Sequence, residues 1–145
     1  HSLPSPGAIG IYCAGAGGFG GDSLYMASPT GEARMPSAMF GRTAGKGLPQ
    51  LGYFSGTKPN DPLAAPLNSP GILAKFPPTL IITADRDIAM SDAIFTHEKL
   101  VDAGVDAELH VWEGLFHGFF YNADVPESRD AFNVMIRFFD RHLGR

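Results

Sequence analysis

The sequence predicts an α/β fold: about three parallel strands with covering helices. Three observations carry that reading. Two short apolar runs lack alternation, as strands buried on both faces do. The second half runs strand, helix, strand, helix, the order of a parallel sheet with right-handed crossovers. Composition also changes near residue 78. Residues 1–78 hold 14 of the 18 Gly and 11 of the 12 Pro but three acidic residues, so they read as loop-rich.

The elements follow in order. Gly7-Ala8-Ile9-Gly10-Ile11-Tyr12-Cys13 reads as a buried strand, with Cys13 a small buried hydrophobe. A long irregular stretch follows, with short helices expected near 46–54 and 69–75. Pro77-Pro78 introduces a strand over 79–84 (TLIITA). Residues 92–103 (DAIFTHEKLVDA) read as an amphipathic helix, with Ser91 or Asp92 as N-cap and Gly104 as C-cap. Residues 107–112 (AELHVW) alternate and read as a strand. Residues 126–143 read as a terminal helix, with Pro126 in its first turn and Phe132, Met135, Phe138 and Phe139 on one face.

Length and charge bound the function. At 145 residues the chain reads as one domain, and its net charge of −4 leaves no electrostatic footprint for nucleic acid or an anionic membrane. No apolar run approaches the roughly 20 residues of a membrane span. The single Cys13 excludes an internal disulfide, and a cytoplasmic, reducing compartment is the default. His97, His110 and His142 form no ligand spacing, so neither metal nor cofactor is expected. The chain opens His1-Ser2-Leu3-Pro4 without an initiator Met, and three parallel strands leave an open edge. The expectation is a processed chain or a piece of something longer.

Chemistry concentrates where the two later strands end. Thr83-Ala84-Asp85-Arg86-Asp87 follows one strand, and Glu113-Gly114-Leu115-Phe116-His117-Gly118-Phe119 follows the next. Functional groups gather at that edge of a parallel sheet. A carboxylate that holds one imidazole tautomer, while the other ring nitrogen serves a nucleophile, needs such a pair. Taken singly, an Asp after a strand is usually a turn residue, and a His among aromatics a core residue.

The stretch from Phe76 to Phe120 resembles the carboxyl-terminal part of the hormone-sensitive-lipase-like carboxylesterases, an α/β-hydrolase group. The resemblance rests on Pro77-Pro78-Thr79-Leu80, Ala103-Gly104-Val105, Glu108 to Gly114 and His117-Gly118-Phe119, with Asp61-Pro62-Leu63-Ala64 upstream. It implies that residues 1–145 are the carboxyl-terminal part of one catalytic domain, incomplete without its amino-terminal half. It implies Asp87 as triad acid, with Asp85 its rival, and His117 as general base and acid. Ile88, Phe116 and Phe119 are the expected pocket residues, and Asp92 a supporting or capping residue. The family's G-x-S-x-G elbow and HGG-type oxyanion motif are absent from this sequence. The expected function is therefore hydrolysis of short acyl esters, with the Ser supplied by an amino-terminal half as partner and this chain inactive alone. A homo-oligomer is an allowed assembly.

Two alternatives stand beside it. One is a non-catalytic fragment or assembly module pairing through the strand at Ile9-Gly10-Ile11. The other is a nucleotide-binding domain through Gly15-Ala16-Gly17-Gly18-Phe19-Gly20, which fits G-x-G-x-x-G but lacks a long following helix. Gly21-Asp22-Ser23-Leu24 spells a GDSL lipase signature in the wrong context, so Ser23 reads as a loop residue.

Overall fold

The computed structural model describes residues 4–17, 21–23, 55–58 and 61–144. The helix expected near 46–54 lies outside them. The described elements are β1 (Ile9–Tyr12), α1 (Pro70–Leu73), β2 (Thr79–Arg86), α2 (Met90–Asp102), β3 (Ala107–Phe116) and α3 (Pro126–Leu143). Short 3-10 turns at Pro66–Asn68 and Phe119–Tyr121 precede α1 and α3.

The three strands form one parallel sheet in the order β1-β2-β3. Residues 79–84 of central β2 are all buried, which explains their unbroken apolar run. Its side chains alternate between two cores. Leu80, Ile82 and Ala84 point to the face where Phe119, Phe120, Ala131 and Phe138 pack. Ile81 points to the other, with Leu67, Leu73, Ala93 and Leu100. Thus α3 covers one face and α2 the other. Each fully buried Leu or Ile of β2 contributes about 1.5–3 kcal/mol.

Helix α2 begins two residues before the expected start. Its N-cap is Ala89, which has no side-chain cap, so neither Ser91 nor Asp92 plays that part. The helix is capped from a distance instead: Ser23 Oγ accepts the Ser91 N–H at 2.9 Å and donates to the Ile88 carbonyl at 2.9 Å. Local sequence cannot reveal a cap that comes from 68 residues away. At the other end the C-cap is Ala103, and Gly104 follows at φ +80. Gly104 N–H reaches Val101 O at 2.9 Å and Val105 N–H reaches Leu100 O at 3.0 Å. Those two bonds make a Schellman motif, which needs the left-handed residue that Gly supplies.

Helix α3 keeps the expected bounds, with one correction to its inner face. Ala131 and Phe138 are buried, with Val134, Met135 and Phe139 packed beside them, but Phe132 is half exposed. Phe132 follows Ala131 by one residue, about 100° around the helix, and so rotates off the stripe that faces the sheet.

Candidate active site

Strand β2 runs two residues further than its apolar run suggested, and β3 four further. The extra length contains a bulge. Ala84 pairs with Trp112, but Arg86 pairs with Phe116, so two residues on β2 face four on β3. Trp112 and Leu115 therefore pack on the same core, a spacing of three that a regular strand forbids. Gly114 lies in the bulge at φ +76. Asp85, the rival acid, is exposed, and its Oδ1 accepts the Gly114 N–H at 2.7 Å. Asp85 thus ties β2 to the bulge and does not contact His117 through any described hydrogen bond.

The bulge delivers His117 to Asp87. His117 Nδ1 lies 2.7 Å from Asp87 Oδ1. The Asp87 carboxylate is fully buried, while 48% of the His117 side chain is exposed, so one ring edge meets the acid and the rest is open. Asp87 sits in the turn before α2, where its carboxylate faces the positive end of the helix. Its Oδ1 also accepts the Ala89 N–H at 2.8 Å, and its Oδ2 the Thr83 hydroxyl at 2.8 Å. Burial alone pushes this acid up. Hydrogen bonds from Ala89, His117, the Cys13 thiol and Thr83 outweigh it and leave Asp87 below the usual carboxylate range. The acid is therefore ionised and fixed, as a partner of an imidazolium must be.

The loop after His117 is held as firmly. Gly118 adopts φ +72, and a Cβ there would crowd the Tyr121 ring. The Gly118 N–H donates to Cys13 Sγ at 3.1 Å. Ser128 Oγ bonds the carbonyls of Phe119 and Asn122 at 3.1 and 2.7 Å, tying α3 to the same turn.

Among the other expected site residues, Ile88, next to Asp87 in sequence, is half-buried, and Phe116, next to His117, is half-exposed. Phe119 corrects the expectation: it is fully buried, its ring 5.4 Å from Trp112 and 5.3 Å from Phe120, and it has no surface to offer a pocket. Asp92 contacts the glycine run and not the His117 pair. Burial pushes it up to about 6, with one backbone N–H, from Gly17, opposing. A Cβ on Gly15 would overlap its carboxylate, and one on Gly17 would crowd Leu67 and Asp92. The described part of G-x-G-x-x-G thus wraps a carboxylate of the protein itself, which explains those glycines without a nucleotide. Gly18, Phe19 and Gly20 lie outside the described residues. Ser23 is not the loop residue the sequence suggested: it is helical and buried, with its hydroxyl spent on α2.

The sequence reading missed Thr83 and the position of Cys13. Thr83 stands four residues before Asp87, a spacing that carries no signal until the turn is known. Cys13, Asp87 and His117 place donor atoms within 4.8 Å of one another, a composition able to hold a metal. In this structure the same atoms form a hydrogen-bonded cluster. Burial drives the Cys13 thiol up to about 12, so it remains protonated, and Asp87 is already engaged by four donors. Of the remaining histidines, His97 Nε2 bonds the Ala107 carbonyl at 3.2 Å, His110 stacks on Trp112 and His142 on Phe138, all structural contacts. Among the described residues, no helix is long and apolar enough to cross a membrane.

Comparison with known proteins agrees with this fold. No curated protein matches the sequence. Among solved structures, esterase E25 superposes with a TM-score of 0.73 at 33% identity over 94% of this chain. An esterase from the bacterial hormone-sensitive lipase family superposes at 0.71 with 22% identity over 96% of the chain. EstE5, soaked with p-nitrophenyl butyrate, does so at 0.74 with 21% identity over 99%. The chain spans 40%, 44% and 46% of those three proteins. A family model described as alpha/beta hydrolase fold matches residues 28–121. With that match over most of its length, and a sheet end built around a buried acid and a half-open imidazole, the chain belongs to the alpha/beta hydrolase fold family.

Proposed function

We propose that this chain is the carboxyl-terminal part of a serine carboxylesterase acting on short acyl esters. His117 is the general base and acid, and Asp87 holds it. The observation that carries the reading is the 2.7 Å contact between a fully buried, ionised Asp87 and a half-exposed His117. A nucleophilic Ser on the amino-terminal half attacks the ester carbonyl while His117 Nε2 takes its proton. The imidazolium, stabilised by Asp87, then gives that proton to the leaving alcohol. Ile88 and Phe116, next to the pair in sequence, border the acyl site. The free, buried Cys13 suits a reducing, cytoplasmic setting. The sequence of this chain holds neither a G-x-S-x-G elbow nor an HGG-type motif, so on this reading the chain alone is inactive.

The experiment is steady-state hydrolysis of p-nitrophenyl esters of increasing acyl length. It compares this chain alone with the enzyme assembled from chain and amino-terminal half. The reading expects turnover only in the assembly, fastest on short acyl groups. Equal turnover by the chain alone, or none in either, contradicts it.

A further inference from the structure

We propose that Cys13 is a positioning residue for the Asp87–His117 pair, its sulfur accepting from the His117 loop while its S–H faces the acid. The inference rests on the esterase reading above and adds a third strand to the site. Cys13 directly follows β1, and its own N–H is fixed to Ile82 O at 2.7 Å. Its Sγ accepts the Gly118 N–H at 3.1 Å, one residue past His117, and the same sulfur lies within 4.8 Å of the Asp87 carboxylate and the His117 ring. The Asp87 carboxylate then has four donors, the number its lone pairs can accept.

The backbone supplies an independent argument. Cys13 has φ +49 and is the one non-glycine at positive φ among the described residues. A side chain there strains the backbone, and glycine would relieve it. Such outliers persist where the surroundings hold them, often at functional sites. Here the Gly118 N–H on the sulfur, and the Asp87 carboxylate and His117 ring within 4.8 Å, are the surroundings that hold the side chain. The thiol is buried and protonated, which removes it from nucleophilic and redox chemistry and leaves hydrogen bonding as its use.

The test uses the assembled enzyme. Cys13→Ala and Cys13→Gly both remove the thiol, and Gly also relieves the strained φ, so the test does not depend on a single variant folding. Cys13→Ser keeps a donor and an acceptor. The readouts are kcat and KM for p-nitrophenyl acetate and the His117 Nδ1 proton resonance. Losing these bonds should lower kcat about tenfold with KM unchanged, the equivalent of one hydrogen bond. The Nδ1 resonance should move in both thiol-free variants. Cys13→Ser should stay within about threefold of the parent and keep the resonance. Folded thiol-free variants with parental kcat and resonance would overturn the proposal. So would a Cys13→Ser as impaired as Cys13→Ala, or the failure of both thiol-free variants to fold, since each would make Cys13 a packing group. A His117→Ala control separates the two claims. If it abolishes turnover while Cys13 variants do nothing, only the Cys13 proposal falls; if it leaves turnover intact, the esterase reading falls with it.

Discussion

Two buried carboxylates, Asp87 and Asp92, stand five residues apart near the start of α2, and their surroundings drive them in opposite directions. Asp87 has no exposed surface, yet its hydrogen-bond donors hold it below the usual carboxylate range. Asp92 retains 8% exposure and has one backbone donor, and burial pushes it up to about 6. Burial pushes both acids up, so it does not by itself set their opposite directions. The number of donors aimed at the oxygens does, and the molecule concentrates them on the acid that meets His117.

The largest effect should come from breaking that concentration at its centre. In the assembled enzyme, Asp87→Asn or His117→Ala should lower kcat by about 10³–10⁴. Circular dichroism and melting should show the fold retained. Turnover within tenfold of the parent would remove the pair from the chemistry.

Asp92 sharpens the other side of the comparison. Its folded value lies above its ordinary one of 3.8, so folding takes up a proton between the two. Its contribution is fully present below the unfolded value and is lost as pH rises through about 6. Asp92→Asn should therefore match the parent near pH 4 and exceed it by up to about 3 kcal/mol near pH 8. Denaturant unfolding at several pH values measures this. A variant no more stable than the parent at the higher pH would mean that Asp92 is not held in an unfavourable charged state.

A smaller effect should follow from removing one donor of the four. Thr83→Val leaves Asp87 with a bare Oδ2 lone pair, at a cost of about 1–3 kcal/mol. Because Asp87 is lowered in the folded state, its contribution is present above the unfolded value and is lost as pH falls through the folded one. The Thr83→Val deficit should thus be larger at neutral pH than in acid, opposite in sense to Asp92. The least effect is expected at Asp85. Asp85→Asn keeps an acceptor for Gly114 N–H, so kcat should stay within about threefold, the cost of weakening one exposed bond. A collapse of activity there would reopen Asp85 as the triad acid.

The sequence made the skeleton of this site readable because its signals are local. The unbroken apolar run of 79–84 marked the central strand, and strand-end placement brought Asp87 and His117 together. What stayed hidden depends on distant contacts. Ser23 caps α2 from across the fold, so Ser91 and Asp92 looked like caps. The bulge at Gly114 extends β3 through residues that read as loop. Cys13 looked like any small core residue, since nothing near it in sequence shows the Gly118 N–H at its sulfur. Phe119 stands two residues past His117 in sequence but turns inward after Gly118, at φ +72.

The central claim is that Asp87 and His117 serve a nucleophile on the amino-terminal half. Fluorophosphonate labelling of the assembled enzyme, read by denaturing intact mass with and without His117→Ala, tests it most directly. The account predicts an adduct on a serine of the amino-terminal half, formed rapidly in the parent and slowed by orders of magnitude in the variant. No adduct in the parent, or labelling indifferent to His117→Ala, would contradict it.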